Sequence, residues 1–201
     1  MVATSTEELE AGIVPSYDRR SELNAFDASK AGVQGLVENG VRNVPPIFHS
    51  RSSNLSEDFT TESNSKFTIP TIDLTGIHED PTLRDDVVRK VRYACQNWGF
   101  FQVQNHGIPT HVLNEMIKAI CRFHEQDAKV RKTYYTRDLT KKVMYLSNFS
   151  LYQDPSTDWR DTLTFFLAPN PPKAEELPEV CRFVIILFSI LVFGLVISIH
   201  E

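Results

Sequence analysis

The sequence predicts an α+β fold over residues 67–182, with a helix and polar linker before it and a hydrophobic tail after it. Three observations carry this expectation. Apolar residues recur at helical spacing in two stretches, Leu83 to Trp98 and Val112 to Phe123; short β-forming strings flank both; and residues 183–199 carry no charge at all. The chain of 201 residues therefore divides into 1–66, 67–182 and 183–201.

Taken in order, residues 1–15 are polar and expected to be loose, and Leu23, Phe26, Val33 and Val37 then mark one helix that stops at Gly40. Pro45-Pro46 breaks the chain. Residues 49–66 are so rich in Ser, Thr, Asn and Glu that they read as a linker. The string 67–75 alternates as a strand, with Pro70 confining it to an edge or a strand start. Leu83, Val87, Val91, Ala94 and Trp98 form a helix face ended by Gly99, and residues 100–104 return as a strand. Trp98, Phe100 and Phe101 are expected in the core at that junction. Pro109 opens a further helix whose buried stripe is Val112, Leu113, Met116, Ile117, Ile120 and Phe123. Two β-like pieces, 143–151 and 162–167, flank a Pro/Ser/Asp turn.

Composition excludes several functions. A net charge of -5 and a pI near 5.7, without a Lys/Arg stripe, argue against nucleic acid, which is bound through basic residues. Cys95, Cys121 and Cys181 are odd in number and widely spaced, which supports neither a disulfide framework nor a zinc ribbon. Glu7, Glu8 and Glu10 interrupt any leader-like segment, so a cytoplasmic location is expected.

No residue triplet makes a convincing metal or catalytic centre. His78-Glu79-Asp80 spells a His-x-carboxylate iron pair, but Gly76 and Pro81 bracket it in a turn where Asp80 serves as a helix N-cap. His124-Glu125-Gln126-Asp127-Ala128 begins like a zinc-binding HExxH and places Ala128 where the second histidine belongs. His111 and Glu115 have the spacing of a surface helix pair, and His106 reads as a structural histidine. Catalytic and metal-binding residues are therefore not expected in this chain.

The most specific string is Trp98-Gly99-Phe100-Phe101-Gln102-Val103 followed by Asn105-His106-Gly107-Ile108-Pro109. It resembles the N-terminal region of the plant iron(II) and 2-oxoglutarate-dependent oxygenases, in the branch of 1-aminocyclopropane-1-carboxylate oxidase homologues. Ile69-Pro70-Thr71-Ile72-Asp73-Leu74, Tyr17-Asp18-Arg19, Phe26-Asp27, Lys30-Ala31-Gly32-Val33, Phe123-His124-Glu125-Gln126, Tyr134-Tyr135-Thr136-Arg137-Asp138, Ser147-Asn148-Phe149 and Asp158-Trp159-Arg160-Asp161-Thr162-Leu163 extend the resemblance over about 16–182. It implies the N-terminal helices and first strands of a double-stranded β-helix, or jelly-roll, with the catalytic barrel largely absent. In the intact family the cofactors implied are Fe(II) with 2-oxoglutarate or ascorbate. Iron there is held by a His-x-Asp pair and a later His, and the 2-oxoglutarate carboxylate by an Arg-x-Ser segment, all downstream of the residues that resemble the family. No cofactor is expected for this chain, which should be inactive alone. The resemblance carries over substrate-pocket walls at Tyr145, Asn148 and Phe149, residues that also suit sheet packing.

Beyond Arg182 the resemblance ceases. The run 183–199 is interrupted only by Ser189, Gly194 and Ser198, and as a helix it would span roughly 26 Å against a hydrocarbon core of about 30 Å. It is a minimal transmembrane candidate, which would leave the N-terminus in the cytosol. The favoured expectation is a truncated product such as a retained intron. The alternative function is an interaction protein, tail-anchored in a membrane or bound to full-length relatives.

Overall fold

The computed structural model describes residues 17–49 and 68–200, the last seven by backbone alone. The expected loose start and most of the linker fall outside these residues.

The expected first helix is two. Helix α1 (Arg19–Ser29) is capped by Asp18, whose carboxylate accepts from the N–H groups of Arg20 and Ser21 at 3.0 and 3.2 Å. It ends where Lys30 turns left-handed at φ 52°, and α2 (Gly32–Glu38) starts in a new direction. The apolar spacing ran across this break because both helices face one small core. Leu23, Phe26 and Val33 meet Ile47 and Phe48 from a 3-10 turn, together with Leu151 from far along the chain.

A parallel pair follows, with β1 (Thr71–Asp73) and β2 (Gln102–Gln104) joined by α3 (Pro81–Asn97). Asp80 caps α3 by accepting the Thr82 N–H at 2.8 Å, and Gly99, at φ 76°, follows its end. Ile72, Leu74, Ile77, Val87 and Ala94 form the core of this unit, with Phe101 and Val103 packed on it. Phe100 and Leu83, both expected inside, are exposed. Phe100 lies just before β2 on the side away from Phe101, as strand alternation requires.

Helix α4 (Thr110–His124) buries Val112, Ala119 and Phe123, while Ile117 is 64% exposed and does not join the expected stripe. Ala119 takes that inward role. Helix α5 (Ala128–Tyr134) is separate from α4 and capped by Asp127, whose carboxylate accepts the Lys129 N–H at 2.7 Å. Strands β3 (Val143–Ser147) and β4 (Asp161–Phe165) pair antiparallel, Tyr145 opposite Leu163 and Ser147 opposite Asp161. Among the described residues the strands form two separate two-stranded sheets, so these residues do not make a closed jelly-roll.

The largest core lies between α4, β3 and α6 (Glu179–His200). Cys181, Val184 and Ile185 are buried against α4, and the Cys181 thiol lies 3.3 Å from the Ala119 carbonyl. Among the described residues no helix is long and apolar enough to cross a membrane. From Val184 to Leu191 the candidate span is a helix with one side docked on its own chain.

Candidate functional site

The expected pocket residues lead to β3 and the loop after it. Tyr145 and Ser147 are two apart on β3 and so share a face, and the strand register sets Asp161 opposite Ser147. The Tyr145 hydroxyl donates to Asp161 at 2.8 Å, and the Ser147 hydroxyl donates to the same carboxylate. Asp161 also accepts the backbone N–H groups of Val33 at 2.8 Å and Gln34 at 2.9 Å, where α2 begins. Four donors thus converge on one carboxylate at a helix N-terminus, where negative charge is favoured. Burial, then the charge of Asp161, raises the Tyr145 phenol well above its usual range, so it remains a donor. Its ring packs edge-on against Phe123, His124 and Tyr135, with centroids 5.4, 5.8 and 5.8 Å away.

A second carboxylate ties α1 to the same wall. Asp27 accepts from the Tyr135 hydroxyl at 2.6 Å, Arg137 Nε at 2.8 Å and the Tyr152 hydroxyl at 3.1 Å. The remaining guanidinium nitrogens of Arg137 donate to the carbonyls of Ser147 and Asn148 at 2.8 and 2.7 Å. Burial and then Asp27 raise the Tyr135 phenol. Arg137 therefore fixes the end of β3 and the loop that presents Phe149.

The three expected residues occupy different environments. Tyr145 is fully buried. Asn148 is left-handed at φ 56° and buried, its amide donating to the Asp158 carbonyl at 2.8 Å and accepting the Asp158 N–H at 2.9 Å. Phe149 is 53% exposed. The structure places them along one strand and the turn after it. Asp27, Asp161, Arg131 and Arg137 organise the wall and went unmarked as site residues, since no periodicity or spacing singles out a buried charge. Asp27, Arg137 and Asp161 did lie inside the strings that carried the resemblance.

The other motifs resolve locally. Asp80 is occupied as the α3 cap, where it also accepts from the Thr82 hydroxyl at 2.7 Å. His106 Nδ1 accepts the Ile108 N–H at 3.0 Å. Glu115 pairs with Lys118 at 3.0 Å and Arg122 at 3.7 Å in place of His111. His124 ends α4 and Ala128 begins α5, so the two never share a helix face. Among the described residues no three His, Cys, Asp or Glu side chains come together as a metal site. The donor set of these residues does not fit an iron centre.

Residues 69–181 match the domain described as the non-haem dioxygenase in morphine synthesis N-terminal domain. A probable 2-oxoacid dependent dioxygenase of Arabidopsis thaliana is 50% identical over 174 residues, covering 87% of this chain and 48% of that protein. A 1-aminocyclopropane-1-carboxylate oxidase homolog of Solanum lycopersicum is 49% identical over 176 residues, 87% of this chain and 47% of that one. The 1-aminocyclopropane-1-carboxylate oxidase homolog 1 of Arabidopsis thaliana is 46% identical over 176 residues, 88% and 48% of the two chains. The chain spans about half the length of the curated relatives it matches.

Proposed function

Because this chain belongs to the non-haem dioxygenase family through the N-terminal domain of its members, we propose that it is the supporting half of an iron(II)/2-oxoglutarate-dependent oxidoreductase and performs no oxidation by itself. The observation that carries this reading is the in-register match to an N-terminal domain with relatives about twice as long. Bound elsewhere in an intact relative, iron and 2-oxoglutarate would supply dioxygen activation for oxidation of a small molecule. The work of this chain's residues is positional. Asp161 and Asp27 lock α1 and α2 against β3, Arg137 and Asn148 set the following turn, and Phe149 presents an apolar surface on the substrate side. Three free thiols, Cys95, Cys121 and Cys181, support a cytoplasmic setting.

The test is iron(II)-dependent conversion of 2-oxoglutarate to succinate, with ascorbate present. The chain alone should give none, while residues 1–182 joined in register to the C-terminal half of the Solanum lycopersicum relative should restore it. A chelator-reversible, one-to-one iron complex of the chain alone, lost in His78→Ala, would overturn the reading. So would an inert but folded chimera.

A further inference from the structure

We infer that the outer face of α6 is a self-association surface on which a second copy of this chain seats its own α6. Phe183, Ile186, Ile190 and Phe193 are 80%, 39%, 63% and 40% exposed. Their separations of three, four and three residues are those of successive a and d positions in a heptad. Val184 and Ile185 are buried on the opposite side, and Leu187, Phe188 and Leu191 pack against the core. Helix α6 is therefore apolar on two sides, of which α4 covers one, and a helix of that kind is at rest in water only when both are covered.

The stripe is one that a second helix fills, the partner's knobs entering the holes between its own residues. No charged residue lies between Phe183 and Phe193, and the Ser189 hydroxyl is turned back onto the Ile186 carbonyl at 2.7 Å. Nothing along the seam selects an oppositely charged partner, and two identical seams meet about a two-fold axis without a like-charge contact. With a buried aromatic side chain covering roughly 200 Å², the four exposed portions amount to about 400 Å² per copy, near half the ~800 Å² that each partner contributes to a standard interface. The dimer is accordingly weak and reversible. This inference needs only α6 and is independent of the oxygenase reading.

Sedimentation equilibrium of the full chain over an about hundredfold concentration range tests it. The expected result is a reversible monomer–dimer equilibrium that tightens with salt, because each copy carries a net charge of -5. Ile190→Glu, and independently Phe183→Glu, should raise the dissociation constant on the order of tenfold or more while leaving the thermal unfolding curve in place, since both residues are more than half exposed. Tyr93→Glu, at a 61% exposed position on α3, should leave the dimer intact. A chain monomeric throughout overturns the inference, as does association that both seam variants leave unchanged or that Tyr93→Glu weakens equally. Capture of the parent by phosphatidylcholine vesicles without dimerisation in their absence also overturns it and assigns the face to lipid.

Discussion

Arg131 and Glu38 meet at 2.6 Å, joining α5 to α2 through a guanidinium that is 1% exposed. The same guanidinium donates to the carbonyls of His124, at 3.0 Å, and Gln126, where α4 ends and would otherwise leave acceptors unpaired. Burial disfavours the charge, but hydrogen bonding to Glu38 and its charge more than offset that and hold the Arg131 pKa above its usual value. Arg131→Ala should therefore cost about 3–5 kcal/mol, as removal of a buried charge-assisted network does. Glu38→Ala should cost less, about 1–2 kcal/mol, because Glu38 is 39% exposed and water replaces part of what it gives. Urea unfolding midpoints of the two variants provide the check, and equal losses would contradict it.

Gly32 sits at φ 68°, and a side chain there would meet both Asp161 oxygens at 2.7 Å and the Tyr145 hydroxyl at 2.8 Å. Gly40 has φ 73° with nothing within 4 Å. Gly40→Ala should thus show the backbone cost alone, about 1 kcal/mol, and Gly32→Ala that cost plus displacement of the Asp161 network, about 3 kcal/mol or more. Chemical denaturation of the pair separates the two contributions; a Gly32 variant no worse than the Gly40 variant would mean that the carboxylate is not held where it is described.

Neighbouring residues on the loop after β3 should behave oppositely. Asn148→Ala removes both hydrogen bonds to Asp158 and puts a less tolerant residue at positive φ, a loss of about 2–3 kcal/mol. Phe149→Ala should change stability by no more than about 0.5 kcal/mol. In the chimeric enzyme its effect should fall on substrate KM, with uncoupled 2-oxoglutarate turnover retained. Thermal unfolding and steady-state kinetics together distinguish the two roles.

His124 gives the chain a pH dependence near neutrality. Burial lowers its pKa below 6.5, Asp161 opposing and Arg131 reinforcing that shift. The unfolded chain consequently binds more protons between the folded and unfolded values. Stability is complete above the unfolded value and falls as pH drops through it toward the folded one. Tm should decline as pH falls through the unfolded value of about 6.5, and His124→Gln should flatten the decline. Glu38, held below its usual range by Arg131, contributes stability that is lost only at more acid pH, as its carboxylate protonates through the lowered value.

What could be read in the residues beforehand was whatever repeats. The spacing of Val87 and Ala94 placed α3, and Asp80 with Pro81 marked its start, because caps and stripes are local chemistry. The α1–α2 break was hidden because Lys30 adopts a left-handed conformation that its side chain does not announce. Ile117 was misplaced because periodicity identifies a face and not its width, and Phe100 because two adjacent aromatics at a strand start face opposite sides. Asp161, Asp27 and Arg131 escaped as organising residues for a deeper reason: each owes its importance to partners remote in sequence, and a single chain does not display those pairings. The family resemblance did reach Asp161 and Asp27, but only as strings.

The ties made by Asp161 to Val33 and Gln34 span 128 and 127 residues, and those of Asp27 to Tyr135 and Arg137 span 108 and 110. During translation at about 5–20 residues per second, the α1–α2 hairpin emerges roughly 6–25 s before the carboxylate that will fasten its second helix. Over that interval Leu23, Phe26 and Val33 have no Leu151 to close over them. Helices α1 and α2 are thus made early and fastened late, with their shared apolar face incompletely covered in between.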